Sequence, residues 1–428
     1  MKTKILLASL SLGALVLSLL PAPTVWADDW PQWRGPNRDG VWREDFSPGP
    51  PKVLWRAPVG PGWSSPVVAH GRVYLTDAQR ARPKAKERVL CFEEGTGKPL
   101  WAFAYDVTYP DWAFTGGEGR GPTATPVVRD GKVYTLGNKG DLLCLDAAKG
   151  DVLWRRNLER DYRVQEFAFN ASPLVEGDLL IACIGSYPGT LPSSVLALDK
   201  NTGKEVWKTP TEGLTNSSPV VLAAGGRRQL VVWTQGSVTS LDPATGKVLW
   251  RQRMKTAAQD AVATPVSHEA RLLVSGLMLK LAPDRPAASV LWPDTKAATR
   301  RVLSNTCTPV LQGGCVFSAR SSGELVCLAA DTGEELWKTG TVTGLKQGAA
   351  IHLTPQGGGM FLYTDRGELI RAKLTARGYQ EVSRFPLVEP VYPFAGRKVT
   401  WSPPAYADRR VFARSDRELV CASLAATP

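Results

Sequence analysis

The fold of this chain is decided by an eleven-residue motif whose most complete copy is Ala197-Leu-Asp-Lys-Asn-Thr-Gly-Lys-Glu-Val-Trp207. Each clear copy starts with a small residue, carries glycine at its seventh position and ends in tryptophan. The other clear copies end at Trp101, Trp154, Trp250 and Trp337, two worn copies end at Trp292 and Phe385, and Trp55 ends an orphan. These aromatic residues lie 42–53 residues apart, so the chain is built from repeats.

Each repeat carries the pattern of four short antiparallel strands, labelled A to D. In the second repeat, residues 125–128, 132–136, 141–145 and 151–154 predict these strands, and Asp130-Gly131 forms a tight turn between A and B. Most A strands open with Ser-Pro or Thr-Pro, because proline is tolerated at the first residue of a strand. Eight A strands begin near residues 64, 123, 171, 217, 263, 307, 349 and 401. This pattern predicts an all-β fold, an eight-bladed β-propeller of four-stranded antiparallel blades.

The last repeat explains the orphan at Trp55. It has A, B and C strands, ending at Cys421, but no D strand. Residues 52–56 supply a D strand that has no blade of its own. We therefore predict that this N-terminal strand completes blade 8 and closes the ring, because an open ring would leave exposed sheet edges.

The first 51 residues precede the propeller. Lys2 and Lys4, the apolar run at 5–20 and the small-residue site ending at Ala27 predict a secretory signal peptide at 1–27. Residues 28–51 form a predicted lead-in segment, and 52–428 form the predicted eight-bladed propeller. The apolar run is shorter than the ~20 residues that span a bilayer. We expect a periplasmic or secreted protein with no transmembrane segment in its mature chain.

The composition is that of a soluble globular protein, with 43% hydrophobic and 21% charged residues, which excludes disordered and fibrous classes. The formal net charge is +12. Five of the cations follow repeat tryptophans on the outer strand D, where they hinder pairing between exposed edges. These cations are Arg56, Arg155, Lys208, Arg251 and Lys338. Because nothing in the chain resembles a motif that reads nucleic acid, we expect no nucleic-acid partner.

Four of the seven cysteines are interpreted as structural, while Cys183, Cys307 and Cys315 are left open. These four occupy the small first position of the motif, at Cys91, Cys144, Cys327 and Cys421. Ala197 and Ser240 fill the same position elsewhere, so the position requires a small buried side chain. Cys307 and Cys315 fall on neighbouring predicted strands and could pair, which their spacing does not decide.

The motif resembles the docking motif of the PQQ-type β-propeller repeat, from Val53 to about Leu424. Two families share eight such blades: the quinoprotein alcohol dehydrogenases and the BamB-like group, whose namesake is a periplasmic scaffold of outer-membrane protein assembly. Asp29-Trp-Pro-Gln-Trp-Arg-Gly-Pro36 is similar to the lead-in of such propellers in some exported bacterial proteins. The resemblance implies that each repeat tryptophan packs against the next blade beside its Thr-Gly turn, which concerns Trp55, Trp101, Trp154, Trp207, Trp250, Trp292 and Trp337.

The resemblance leaves a choice between an enzyme and a scaffold. Quinoprotein dehydrogenases stack PQQ between a tryptophan and a disulfide of two adjacent cysteines, and hold Ca²⁺ with a Glu, Asn and Asp set. This chain has no two adjacent cysteines, and the calcium set has no match in it. Its three histidines form no cluster along the sequence, which argues against a histidine metal site or a catalytic triad. We therefore expect no catalytic residue, no metal and no cofactor.

These observations favour an exported, non-enzymatic scaffold that binds a protein partner in the cell envelope, in outer-membrane protein assembly if the resemblance holds. The alternatives are a PQQ-dependent alcohol or sugar dehydrogenase, which would bind PQQ and calcium, and a propeller that binds a glycan or small ligand. Four polar residues just before A strands are candidates for the channel mouth, although turn capping also explains them. They are Asn170, Asn216, Asp260 and Asn305.

The six long connections all join B to C or D to A, so they emerge on one face of the disc. They span residues 77–88, 102–122, 155–169, 186–193, 293–306 and 386–400. Long loops on a rigid scaffold often carry function, so this face is the predicted partner surface, unless the loops pack on one another. The candidate contact residues are Tyr109, Trp112, Tyr392, Arg80, Arg82, Lys84, Lys86 and Arg88.

Overall fold

The repeats fold as eight four-stranded antiparallel sheets within the part of the chain that the structure describes. The computed structural model describes residues 29–114, 121–164, 169–185, 193–254, 261–292, 303–304, 306–346 and 348–426. The predicted eight-bladed propeller is confirmed. The predicted signal peptide lies outside the described residues.

Residues 48–253 contain one N-terminal strand and four complete blades, each running from an inner strand A to an outer strand D. The N-terminal strand is β1 (Pro48–Pro58). Blade 1 is β2 (Val67–Ala69), β3 (Arg72–Ala81), β4 (Lys84–Glu93) and β5 (Pro99–Thr108), followed by a 3-10 helix at Asp111–Phe114. Blade 2 is β6 (Val127–Arg129), β7 (Lys132–Leu136), β8 (Asp141–Asp146) and β9 (Val152–Asn157), followed by α1 (Leu158–Tyr162). Blade 3 is β10 (Leu174–Glu176), β11 (Leu179–Ile184), β12 (Ser193–Asp199) and β13 (Glu205–Thr211). Blade 4 is β14 (Val220–Ala224), β15 (Arg227–Trp233), β16 (Ser237–Leu241) and β17 (Val248–Arg253).

The second half completes the ring. Blade 5 is β18 (Val266–His268), β19 (Arg271–Val274), β20 (Leu277–Leu281) and β21 (Ala288–Trp292). Blade 6 is β22 (Val310–Gln312), β23 (Cys315–Ala319), β24 (Leu325–Ala329) and β25 (Glu335–Thr339). Blade 7 is β26 (Ile351–Gln356), β27 (Gly359–Thr364), β28 (Glu368–Thr375) and β29 (Gly378–Pro386), and a small hairpin follows as β30 (Tyr392–Phe394) and β31 (Arg397–Val399). Blade 8 contains β32 (Ala405–Ala407), β33 (Arg410–Arg414) and β34 (Glu418–Ala425).

The N-terminal strand closes the ring as predicted. β1 pairs antiparallel with β34 as the outer strand of blade 8, with Trp55 opposite Cys421 and Pro58 opposite Glu418. β1 begins at Pro48, four residues before the predicted boundary at 52. The pairing covers the edge that β34 would otherwise expose.

The A strands begin two to four residues later than predicted, because the Ser-Pro and Thr-Pro dipeptides bond to neighbouring blades instead of their own sheets. The N–H of Ser65 donates to Thr125 Oγ1 at 3.0 Å, and the N–H of Thr125 donates to Ser172 Oγ at 2.9 Å. Equivalent bonds of 3.0 Å join Ser172 to Ser218 and Thr264 to Thr308. We call these six residues the hydroxyl belt; it links successive blades around the inner wall.

The register explains why the motif pairs a small residue with tryptophan. The two are directly opposed on strands C and D, as with Ala197 and Trp207, and a β-bulge follows immediately. The same pairing and bulge recur at 91/101, 144/154, 240/250 and 327/337. A small residue leaves room for the indole beside it, and the bulge turns strand D towards the next blade.

The motif glycine lies against the tryptophan of the preceding blade. Gly203 has φ +70°, and a Cβ there would collide with the indole of Trp154, so only glycine fits. Trp154 Nε1 also donates to the Lys200 carbonyl of that turn at 3.0 Å. Trp250 differs: its indole donates to Gln229 Oε1 of its own blade at 2.6 Å, because blade 5 has a worn motif without the Thr-Gly turn.

The hydrophobic core is a ring of clusters between adjacent blades, as in blades 2 and 3, where Leu136 and Cys144 pack with Leu180 and Leu196. All seven cysteines are buried and free, so the possible pairing of Cys307 with Cys315 does not occur. Burial raises the pKa of the Cys144 thiol to about 11, which disfavours a reactive thiolate. Within the described ranges, no helix is long and apolar enough to cross a bilayer.

Candidate functional site

The lead-in segment crosses the central channel on the side of the A–B turns. Trp30 pairs with Val68 of blade 1, and the Pro31 carbonyl accepts from Val128 of blade 2 at 2.8 Å. Trp42, only 1% exposed, pairs with Gln356 of blade 7. The sequence predicted a lead-in here but not its place inside the ring.

Two further side chains anchor the lead-in at greater depth. Trp33 Nε1 donates to Thr264 Oγ1 of blade 5 at 2.8 Å, which fixes the segment to the hydroxyl belt. Arg38 donates to the main-chain carbonyls of Pro173 at 2.8 Å and Ser172 at 3.2 Å in blade 3. Together with the contacts to blades 1 and 7, these bonds place the segment against opposite sides of the inner wall.

A small cavity remains between the lead-in and the inner wall. Its polar lining includes Arg34, Ser65, Thr306, Thr308 and His352. His352 Nε2 lies 2.9 Å from the Trp401 carbonyl, and burial lowers the pKa of this imidazole to about 4, so the ring is neutral at physiological pH. His352 lies on β26, the A strand of blade 7.

The predicted channel-mouth residues are only partly described. Asn170 Nδ2 donates to Asn216 Oδ1 at 3.0 Å, and Thr123 donates to Asn170 Oδ1 at 2.9 Å. The structure therefore brings two of the four candidates together, in a short row of side chains on successive blades. Asp260 and Asn305 lie outside the described residues.

The connection at 77–88, predicted as a loop, is regular structure. β3, β4 and β5 are each ten residues long and stay paired to Ala81, Lys84 and Thr108, so blade 1 extends into a three-stranded β-arm at residues 79–88 and 104–108. The prediction of an irregular loop was wrong. Alternating exposed and buried residues, as in Lys84 to Val89, give the arm one solvent face and one packed face.

The packed face of the β-arm rests on blade 2 through a buried carboxyl group. Glu87 accepts from the hydroxyls of Tyr105 and Tyr109, both at 2.6 Å, and from the N–H of Asn138 at 3.1 Å. Burial raises the pKa of Glu87, and burial together with the charge of Glu87 raises the pKa of both tyrosines far above their usual range. A Cβ at Gly137 would collide with Glu87 and Tyr105, so this approach requires glycine.

Two of the predicted aromatic anchors belong to the protein's own core. Tyr109 is 2% exposed and Tyr392 is 6% exposed, and the latter packs edge-on against Trp63 with ring centroids 5.3 Å apart. Their prediction as partner contacts was wrong, because loop-on-loop packing covers them. Trp112 remains accessible at 37%.

The basic residues of the β-arm are partly neutralised. Arg88 forms a two-pronged pair with the fully buried Asp77, with Nε to Oδ1 at 2.7 Å and Nη2 to Oδ2 at 2.5 Å, so it serves the fold rather than a partner. Arg80 donates to the Ala113 carbonyl at 3.0 Å. Exposed pairs join Arg82 to Asp111 at 3.2 Å and Lys86 to Asp106 at 3.7 Å, while Lys84 is exposed at the tip.

The cavity between the lead-in and the inner wall is too small for PQQ. No group of three or more His, Cys, Asp or Glu side chains in the described ranges could hold a metal ion. The volume open to the centres of bound molecules in this cavity is about 20 Å³, which is room for one or two water-sized molecules. A planar tricyclic cofactor does not fit this cavity.

The chain matches a family model described as outer membrane protein assembly factor BamB. The three overlapping matches cover residues 47–191, 85–299 and 281–380, which together span more than three quarters of the chain. The chain belongs to this BamB family. The predicted PQQ-like repeat is thereby confirmed, and the matched region extends from β1 through blade 7.

Curated relatives come from both groups that the sequence resembles. BamB of Burkholderia pseudomallei is 25% identical over 237 residues, which are 53% of this chain and 58% of that protein. The quinoprotein alcohol dehydrogenase PedH of Pseudomonas putida is 29% identical over 167 residues, 36% of this chain. This match spans only a quarter of the length of PedH.

Solved structures agree on the fold of this BamB-family chain. BamB of Moraxella catarrhalis superposes with a TM-score of 0.59 at 19% identity, covering 89% of this chain and 99% of that one. Quinohemoprotein alcohol dehydrogenase of Comamonas testosteroni superposes with a TM-score of 0.67 at 13% identity, covering 94% and 81%. At these identities the likeness concerns the fold alone.

Sequence reasoning missed three features of the site: the hydroxyl belt, the Glu87 cluster and the course of the lead-in. The belt had a visible signal in the repeated Ser-Pro and Thr-Pro dipeptides, which were assigned only to strand starts. The course of the lead-in had a signal in the two tryptophans and two arginines of that segment, Trp30, Trp33, Arg34 and Arg38. Glu87 had no signal, because its partners come from β5, the segment after it and blade 2.

Proposed function

We propose that this protein is a non-enzymatic scaffold of the cell envelope that binds another protein, in the assembly of outer-membrane proteins. The observation that carries this proposal is the match to the BamB family model over residues 47–380. The predicted export signal at 1–27 and the predicted lack of a cofactor belong to the same proposal. In this role the propeller acts as a rigid disc that presents a surface.

The proposed partner surface is the long-loop face, centred on the tip of the β-arm. The arm is held rigidly, because Arg88 is tied to Asp77 and the Glu87 cluster ties it to blade 2. Its outer side presents Lys84 and Lys86, with Trp112 beside it on the 3-10 helix. Exposed cations next to an accessible tryptophan suit an acidic protein surface, and such attraction weakens with salt.

A quinoprotein oxidoreductase is the second candidate. The 29% identity to PedH over 36% of this chain favours it. The residues described in the channel argue against it, since they offer neither adjacent cysteines nor a metal-ligand cluster. The two candidates predict different outcomes with PQQ.

The proposal is tested by site-specific photocrosslinking in cells of the native host. A photoreactive amino acid at position 84 or 112 should capture one and the same envelope protein, with less capture at high salt. Positions 132 and 204, on the short-turn face, serve as controls and should not capture it. Equal capture from both faces would overturn the proposed surface, and stoichiometric PQQ binding with alcohol oxidation by the purified protein would overturn the scaffold.

A further inference from the structure

The lead-in carries two positive charges into the channel. Arg34 and Arg38 lie four residues apart, and within the described part of the chain neither forms an ion pair. The nearest acid of the segment, Asp39, pairs with the more exposed Arg43. Arg34 Nη2 donates to the Asp39 carbonyl at 2.7 Å, while the Asp39 carboxylate, which raises the pKa of Arg34 through space, is paired with Arg43.

The cavity beside Arg34 also contains hydrogen-bond donors that have no acceptor. Arg34 Nε and Ser65 Oγ are both fully buried and lack a hydrogen-bond partner, and both residues line the cavity. Among the described residues of the lining none is acidic, whereas Thr306 and Thr308 add further hydroxyl groups. A buried donor without an acceptor costs about 1–3 kcal/mol, so native structures rarely leave two facing one cavity.

We propose that this cavity binds one small monovalent anion of halide size, held by Arg34 and Ser65. The anion accepts hydrogen bonds from the two unpartnered donors and neutralises one of the two buried positive charges. Arg38 adds attraction from the same segment, since its Nε is also buried and unpartnered. A neutral water accepts hydrogen bonds but adds no negative charge beside the two guanidinium groups.

Size and charge select the class of ligand. The volume open to the centre of a bound molecule is about 20 Å³. This is enough for a chloride or bromide ion but too little for a nucleotide, a sugar or an aromatic carboxylate. Burial lowers the pKa of Arg34 only to about 10, so its guanidinium stays charged at neutral pH and can hold the anion. Because the ligand joins the lead-in to the inner wall, its binding should stabilise the whole ring.

The anion is detected directly with bromide and the unmodified protein. Crystals soaked in sodium bromide should show an anomalous peak in the cavity, within hydrogen-bonding distance of Arg34 Nε and Ser65 Oγ. The thermal midpoint should rise with bromide concentration in a saturable way, relative to sodium gluconate at equal ionic strength, because gluconate is too large for the cavity. A water in the cavity, or no difference between the two salts, would overturn the proposal.

Variants assign the effect to these side chains. Ser65→Ala removes a hydroxyl that has no other partner, so it should fold normally and weaken bromide binding by ~tenfold, as expected for a hydrogen bond to a charged group. Arg34→Gln should abolish the bromide effect. Arg43→Gln is the matched control, because it removes the same charge from the same segment outside the cavity, and it should retain the effect. An unchanged bromide response in Ser65→Ala and Arg34→Gln would refute the site.

Discussion

Trp55 Nε1 donates to the main-chain carbonyl of Glu94 at 2.8 Å. This bond joins the N-terminal strand, which completes blade 8, to the C–D turn of blade 1, and so locks the two ends of the ring. Gly97 of the same turn packs against the indole ring. In other blades, such as blades 2 and 3, the bond from tryptophan to the C–D turn joins two blades that are consecutive in the sequence. At Trp55 the same bond joins the first and last blades.

The first prediction concerns this closure. Trp55→Ala should lower the free energy of unfolding by ~3–5 kcal/mol, because it removes a buried indole and its hydrogen bond. Chemical denaturation of the purified protein measures the loss. Trp337→Ala is the control, since Trp337 donates a similar 2.8 Å bond at a more exposed site, and should cost less. A chain that starts at Gly60 and unfolds like the full chain would show that β1 does not close the ring.

The second prediction is a pH dependence at the same junction. Burial raises the pKa of Glu94 from its ordinary value near 4.5 to about 7, although Arg410 lies 3.3 Å away and opposes the shift. Asp408, Asp29 and Glu44 also raise it. Since the folded state binds this proton more tightly than the unfolded state, the stabilisation is complete below pH 4.5 and is lost as the pH rises to 7, by roughly 1–3 kcal/mol.

Glu94→Gln isolates this contribution. The variant should lack this part of the decline, so its stability relative to wild type should increase between pH 4.5 and 7. Thermal or denaturant unfolding across this range measures the difference. A constant difference between the two proteins would mean that Glu94 does not titrate in this window.

The third prediction tests how the β-arm docks on blade 2. Gly137→Ala should destabilise the protein by ~1–3 kcal/mol, because the new methyl group overlaps Glu87 and Tyr105, which cannot move apart inside the packed face. Gly358→Ala, at a turn where a Cβ meets no atom within 4 Å, should be close to neutral. Hydrogen exchange should show the loss of protection in β4 and β5. Equal stability of the two variants would contradict the Glu87 docking geometry.

The fourth prediction concerns the hydroxyl belt. Ser172→Ala removes the acceptor of the buried Thr125 N–H and should cost about 1–3 kcal/mol. Ser172→Thr keeps the hydroxyl oxygen and should recover most of that loss. Denaturant unfolding compares the three proteins. If Ser172→Ala is as stable as Ser172→Thr, the belt bonds do not contribute to holding neighbouring blades together.

Strand identity was readable from the sequence because its signals are local. The motif around Trp207, the Ser-Pro and Thr-Pro dipeptides and the turn at Asp130-Gly131 each lie within one repeat. Strand ends were less accurate, since the belt residue Ser172 bonds to the next blade rather than to its own sheet. The long link at 77–88 was misread because an extended hairpin and an irregular loop of polar residues look alike along the chain.

The sequence by itself determined the number of blades and the closure of the ring, because each blade repeats one short pattern and the missing strand was visible as the orphan at Trp55. Only the tertiary structure decided which side chains are accessible and where the lead-in lies. Trp33 bonds to Thr264 across 231 residues and Arg38 bonds to Pro173 across 135. Such contacts depend on the shape of the closed ring, which brings distant residues together. For this reason no local pattern in the chain predicts them.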